Sequence, residues 1–376
     1  MYISHSEPQQ ISENRVRDHM DICPFPGGER ESWMSYHTLE SYYCGKKISS
    51  VAIAGVGTRP ECRRGGNVRV MLQEIEKMAP ERGWVVSLMH PFSFSYYRKF
   101  GYDKIADHKI IRFPIEKLDF LPRCPDFVRV ASPETAADCV KVFTKFSEMR
   151  NVAFPRYGTA NFPTEAVKDN KATYVRYDDR GEPYAYVSLE WFRHFEVNRA
   201  ASDGLHVVEF GFTCPQALRD VLGFVRMFEG QDREVIIDNC AMAPEMDAML
   251  KHYMHTDYTI VPDIGCRIFD VPAILKANYY PAEHGAFTVR VYDDLPYTNG
   301  VYEVEYQNGS ARVKKLDDSA DADVEAPMPA FTQLMYGYDE YDPFRATFLD
   351  GVRVNDPASD FFKVFHKKHN GIFDHF

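Results

Sequence analysis

The sequence predicts an α/β (α+β) protein of two or three domains, and three observations carry that expectation. Runs with strand character and runs with helical spacing alternate along the chain, the pattern of layered α/β folds. Gly, Pro, Asn and Asp punctuate those runs where turns are needed. And 376 residues exceed what one ordinary core holds.

Residues 1–32 are polar and rich in turn formers (Pro8, Pro24, Pro26, Gly27, Gly28), with weak periodicity. Residues 33–43 and 48–56 read as strands joined through Cys44-Gly45-Lys46-Lys47, a hairpin. Apolar Val68, Met71, Leu72 and Ile75 fall at helical spacing within 66–78, with Pro80 and Gly83 as stop signals. A buried strand at 84–89, a short helix at 92–100 and a strand at 105–113 complete the first unit, taken as 1–122 and closed by a Pro-marked boundary. The second unit, 123–264, carries a helix at 133–149, strands at 173–177, 184–192 and 206–212, a helix at 215–228 and a strand at 235–238. The third, 265–376, has strands at 287–292, 301–306 and 311–316 around an Asn308-Gly309 turn, then helices at 330–336 and 358–365. The acidic stretch 317–325 reads as a solvated loop, and the pairs Asp178-Asp179, Asp293-Asp294 and Asp317-Asp318 read as loop punctuation in turns rather than acid/base pairs. The basic run His366-Lys367-Lys368-His369 reads as a solvated face.

Composition narrows the function. With 55 acidic against 44 basic side chains the net charge is −11, which argues against a nucleic-acid partner and suits a cationic one, while serving solubility equally well. The eight cysteines are scattered with no CxxC pair and no alternation with histidine, so free thiols are expected and no metal site. No secretory signal and no run of membrane-spanning length is visible, giving the expectation of a cytoplasmic protein that does not enter a membrane.

The sharpest chemical signal is Ile53-Ala54-Gly55-Val56-Gly57-Thr58-Arg59-Pro60-Glu61-Cys62-Arg63-Arg64-Gly65-Gly66-Asn67-Val68-Arg69. A strand ends in a loop of arginines and glycines, and a helix begins at once. The first turn of a helix offers unpaired N–H groups and the positive end of its dipole. Glycines admit a pyrophosphate close to the backbone, and arginines add charge-assisted bonds. On residues alone this is an anion site or a plain solvated loop.

Arg63-x-x-Gly66-x-Val68 resembles the Q/R-x-x-G-x-G/A motif of GNAT acetyltransferases, with Val68 in place of the last small residue. Further on, Phe94-Ser95-Tyr96-Tyr97-Arg98-Lys99-Phe100-Gly101-Tyr102 is similar to the YxxFGY segment of the Eis-like branch. The three-part layout resembles that branch too: tandem GNAT-like domains followed by a sterol-carrier-like α+β domain. The resemblance implies an acetyl-CoA-dependent N-acetyltransferase of primary amines (aminoglycoside, polyamine or lysine acceptors), a homo-oligomer, and a hexamer in the best-matched branch. It implies that Val56, Gly57 and Thr58 pair with the pantetheine arm of acetyl-CoA. Arg63, Arg64, Gly65, Gly66, Asn67, Val68 and Arg69 would hold the pyrophosphate, and Phe92 and Ser93 would border the thioester. Tyr97 matches the general acid toward the leaving thiolate; Tyr96 is its competitor, separated only by register against Phe100-Gly101-Tyr102. The free carboxylate of Phe376 would be the base, with Asp374 and His375 as alternatives. GNAT domains open with a strand and helices that wall the acceptor site, and about 32 residues are fewer than that layout needs. A non-catalytic protein binding acetyl-CoA or an apolar ligand on a degenerate scaffold is the competing expectation.

Overall fold

The computed structural model describes residues 2–164, 171–191, 204–231, 233–250, 254–374 and 376. It divides into two compact units: residues 1–106, 262–370 and 375–376 form the first, and residues 107–261 and 371–374 the second.

The first unit opens with strands where the sequence promised little: β1 (Tyr2–His5), β2 (Gln9–Ser12) and β3 (Arg15–Cys23). β3 buries Asp18, Met20 and Ile22 on alternate positions and pairs antiparallel with β4 (Ser32–Tyr43). Only two of those three inward residues are apolar, so the period of two was faint until β4 supplied the partner. β4 forms the expected hairpin with β5 (Lys46–Thr58), turning through Cys44 and Gly45 at φ 48 and 74.

The helix α1 (Asn67–Arg82) follows, then β6 (Val86–Met89), α2 (Phe94–Tyr97) and β7 (Asp103–Pro114). Pro80 does not stop α1, contrary to expectation; the helix runs through it to a left-handed Gly83. Proline costs a helix the bond to the carbonyl four residues earlier. That carbonyl belongs to Glu76, and Tyr297 Oη donates to it at 2.8 Å instead.

In the second unit, β8 (Val128–Arg129) leads to α3 (Pro133–Glu148), which Ser132 and Thr135 start with a reciprocal capping box. β9 (Lys171–Tyr177), β10 (Pro183–Glu190), β11 (Leu205–Phe212), α4 (Pro215–Val225), β12 (Glu234–Ile237) and α5 (Glu245–Met249) follow. The strand expected through Phe192 is seen to Glu190; Phe192 lies outside the described residues. The sheet order is β7-β12-β11-β10-β9-β8, with β11 and β12 parallel. Phe143, Phe162, Val175 and Tyr186 form its core, against which Phe373 packs.

β13 (Asp257–Ile268) spans the return of the chain, and its residues 265–268 pair antiparallel with β6 in the first unit. The α6 helix (Val271–Ala277) was missed, although Asp270 accepts from Ala273 N as an N-cap and Pro272 sits in the first turn. β14 (Gly285–Tyr292), β15 (Gly300–Gln307), β16 (Ser310–Lys315) and β17 (Val324–Pro327) build a second sheet, completed by α7 (Met328–Tyr336), α8 (Pro343–Ala346), β18 (Arg353–Val354) and α9 (Phe361–Val364). Its order is β16-β15-β14-β17-β18.

The acidic stretch ends as strand β17, with Val324 and Ala326 buried in a parallel ladder beside β14. Asp293 lies in the loop between β14 and β15 and accepts from Asp294 N at 2.9 Å, but it is not solvated: its side chain is 5% exposed and binds Arg267. Lys368 is not part of a solvated face, since its Nζ donates to Tyr43 Oη at 3.2 Å and to the Met335 carbonyl. Asp178 and Asp317 do accept backbone N–H groups within turns, and all eight cysteines are free thiols.

Candidate active site

The site begins with a strand that loses its neighbour. β5 runs parallel to β6 only over Ser50 to Ile53, opposite Val86 to Met89. Residues 54–58 continue without a β6 partner, so their backbone groups on that side are open. A bulge sets this off: Trp33 faces Gly57 but Ser35 faces Ala54, so β5 carries one extra residue, with Gly55 at φ 55. Gly57 has no room for a side chain, because a Cβ there would lie 2.3 Å from the Trp33 ring.

Beyond Thr58 the loop is pinned by a buried polar chain. Asn67 Nδ2 donates to Ser32 Oγ at 3.0 Å, and Ser32 Oγ donates to Thr58 Oγ1 at 3.0 Å. Asn67 is the first residue of α1, so the strand end and the helix start are fixed to each other. Arg64 and Gly66 take positive φ, 66 and 85, the kind of backbone that gathers N–H groups into anion-binding concavities. Among the described residues no side chain caps α1, no acid occupies its first turn, and its first internal bond runs from Val70 N to the Gly66 carbonyl. The leading amides are therefore available to an anion. Arg59 is engaged by Glu29 and Glu61 at 2.6 and 2.7 Å, whereas among the described residues no ion pair holds Arg63 or Arg64.

These features face one cleft of about 520 Å³, lined by Val56, Gly57, Thr58, Cys62, Arg63, Arg64, Gly65, Gly66, Asn67, Val68, Phe92 and Tyr96. It gathers ten of the fourteen residues given the main roles from the sequence, together with Tyr96, the competitor to Tyr97, and adds Cys62. Arg69, Ser93, Tyr97 and Phe376 do not line it. Arg69 is exposed on α1 with its guanidinium over Phe100 at 5.4 Å. Ser93 caps α2, accepting from Tyr96 N at 3.3 Å. Tyr97 is 3% exposed, packed against Phe92 at 5.5 Å, Tyr96 at 5.1 Å and Tyr102 at 6.2 Å.

Burial pushes the Tyr97 phenol up to about 12, with a smaller push from Tyr96, so the proton stays on at neutral pH. Tyr102, by contrast, is a structural phenol: its Oη donates to the buried Ser87 Oγ at 2.7 Å.

The carboxyl end is half-buried rather than frayed. The Phe376 ring lies 4.7 Å from the imidazole of His90, the residue that leaves β6. His90 Nδ1 in turn meets Asp263 Oδ1 at 2.8 Å. This imidazole–carboxylate pair was missed in the sequence, where the only available signal was a histidine between a buried strand and Phe92. Asp374, an alternative base, is bound instead within the second unit by Arg156 at 3.0 Å, and His375 lies outside the described residues.

A strand that splays beside an uncapped, glycine-led helix defines a class. Residues 5–105 match the acetyltransferase (GNAT) domain family. The chain thus carries a GNAT acetyltransferase domain, and GNAT acetyltransferases use acetyl-CoA. Comparison with curated protein sequences returned no match. Among solved structures, a probable N-acyltransferase from Enterococcus faecalis V583 is 18% identical, with TM-score 0.78, over 96% of this chain and 90% of that one. A GCN5-related N-acetyltransferase from Anabaena variabilis is 16% identical, with TM-score 0.79, over 95% and 89%. Eis1 from Mycobacterium abscessus is 15% identical, with TM-score 0.75, over 95% and 90%. Residues 5–105 accordingly carry the GNAT match, and the fold along nearly the whole length of the chain is like that of these solved structures, Eis1 among them. No helix among the described residues is long and apolar enough to cross a membrane.

Proposed function

We propose that this protein transfers the acetyl group of acetyl-CoA to a primary amine by direct attack in a ternary complex. The observation that carries the reading is the cleft in which the unpaired end of β5 meets the uncapped first turn of α1 beside Arg63 and Arg64. The pantetheine amides extend the ladder of Val56, Gly57 and Thr58. The pyrophosphate is received by the amides that open α1, with Arg63, Arg64 and Arg69 adding charge.

In the reaction, the amine nitrogen attacks the thioester carbonyl and the C–S bond breaks as the tetrahedral adduct collapses. Tyr97 gives its proton to the departing sulfur, and the Phe376 carboxylate takes one from the attacking nitrogen. A phenol held near 12 remains a donor across the physiological range. His90, oriented by Asp263 and lying against Phe376, keeps the terminal residue in place. Tyr96 is the competing donor because it lines the cleft itself.

The acceptors we propose are aminoglycosides, polyamines or lysine side chains. A homo-oligomer, hexameric by resemblance, and a cytoplasmic location belong to the same proposal, as does a three-domain reading with a sterol-carrier-like third part. The test measures CoA thiol release with acetyl-CoA and a panel of amines, on the native chain and on one with a short C-terminal extension. Release that collapses on extension supports the transferase and the terminal carboxylate together. Calorimetric binding of acetyl-CoA without release by any amine would sink the reading in favour of a binding protein.

A further inference from the structure

Arg267, on β13, plays no part in the scheme above, yet it is buried (2% exposed) and joins three segments of the first unit. Its Nη1 donates to Glu76 Oε1 on α1 at 2.5 Å and to the carbonyl of Phe100. Its Nη2 donates to both carboxylate oxygens of Asp293, at 3.0 and 3.2 Å. Asp293 is itself held by Thr298 Oγ1 at 2.6 Å, and Tyr297 of the same loop supports the Glu76 carbonyl.

Phe100 lies in the corner that follows Tyr97. That corner is closed by Tyr102 N donating to the Tyr97 carbonyl at 3.3 Å and Gly101 N donating to Arg98 at 3.1 Å. Gly101 sits at φ 77, and a Cβ there would come within 2.9 Å of the Arg267 guanidinium. The corner is thus shaped to admit this one side chain. A planar fork with five fixed donors can satisfy a helix carboxylate, a loop carboxylate and a backbone carbonyl together; a lysine ammonium cannot span them.

We propose that Arg267 is a positioning residue for Tyr97. By tying the Phe100 carbonyl to α1, it sets the phenol relative to the helix whose first turn receives the pyrophosphate. The inference rests on the reading of Tyr97 as proton donor, and it acts through geometry alone: Arg267 touches no reacting atom.

The test is a double-mutant cycle of Arg267→Lys and Tyr97→Phe, scored by kcat, by KM for acetyl-CoA and by thermal melting. Small misplacements of a catalytic group cost about tenfold to a hundredfold in rate, so Arg267→Lys should lower kcat by that factor while KM for acetyl-CoA moves less than about threefold. In the Tyr97→Phe background the same substitution should change kcat by less than about twofold, since the group being positioned is gone. Equal proportional losses in both backgrounds, or no loss in either, overturn the inference while leaving Tyr97 its role. An unimpaired Tyr97→Phe protein overturns the donor reading first and this inference with it. If Arg267→Lys fails to melt cooperatively, Glu76→Gln, which keeps the shape and removes one charge of the tie, replaces it under the same criteria.

Discussion

Tyr97→Phe separates chemistry from packing unusually cleanly in this fold. The ring is 3% exposed and keeps every aromatic contact after the change, and among the described residues its hydroxyl has no hydrogen-bond partner to orphan. Removing a phenol oxygen under those conditions should alter stability by no more than about 0.5 kcal/mol, a melting shift of about 2 °C or less. Loss of a general acid costs about 10²- to 10⁴-fold in rate, equivalent to about 2.7–5.5 kcal/mol of barrier. The predicted protein is therefore as stable as the parent and nearly inactive. CoA release followed with a thiol reagent at saturating acetyl-CoA measures the first quantity, and thermal melting the second. Tyr102→Phe is the contrasting control: it strips the buried Ser87 hydroxyl of its donor at 2.7 Å, so it should lower stability by about 1–3 kcal/mol yet spare kcat. A Tyr97→Phe enzyme retaining kcat within threefold of the parent refutes the assignment, and a collapse in Tyr96→Phe instead transfers it to the neighbour. Because the Tyr97 phenol is held near 12, above its usual 10, the rate should show no loss from its ionisation below about pH 11.

Other expectations follow from single positions. Gly66→Ala puts a side chain at φ 85 with nothing within 4 Å of it, so the cost is backbone strain alone, about 1–2 kcal/mol. It should lower the melting temperature and raise KM for acetyl-CoA, and an unchanged pair of values contradicts the proposed helix-start role. Arg63→Ala with Arg64→Ala should weaken CoA binding by about tenfold or more at low salt, with the difference from the parent shrinking as salt rises; a salt-independent difference in calorimetry argues against phosphate contact. Lys368 carries a pH signature. Burial lowers its ammonium to about 8 from 10.5, so between those values the unfolded chain holds a proton that the folded chain does not. Stability should rise with pH across that window, and Lys368→Met should flatten the rise in melting temperature between pH 7 and 10. A parent whose stability is flat there refutes the burial of the charge.

Much of the first unit could be read along the chain because its signals are local. The hairpin of β4 and β5, the spacing of Val68, Met71, Leu72 and Ile75, and the glycines before Asn67 all act within a few residues of themselves. So does the run from Val56 to Val68, which is one strand end, one loop and one helix start. These residues form one wall because no distant segment has to arrive before they do.

What tertiary structure alone decided involves partners far apart in sequence. β3 is a strand because β4 lies beside it, and its own alternation is too weak to say so. Pro80 stays inside α1 because a tyrosine more than two hundred residues away takes the carbonyl it abandons. Asp293 and Lys368 looked like surface charge until Arg267, Tyr43 and Met335 were brought to them. The pairing of His90 with Asp263 and the resting place of Phe376 are of the same kind. Local backbone preference and periodicity are written in neighbouring residues, whereas the cost of burying a polar group is settled only by whichever partner the fold delivers.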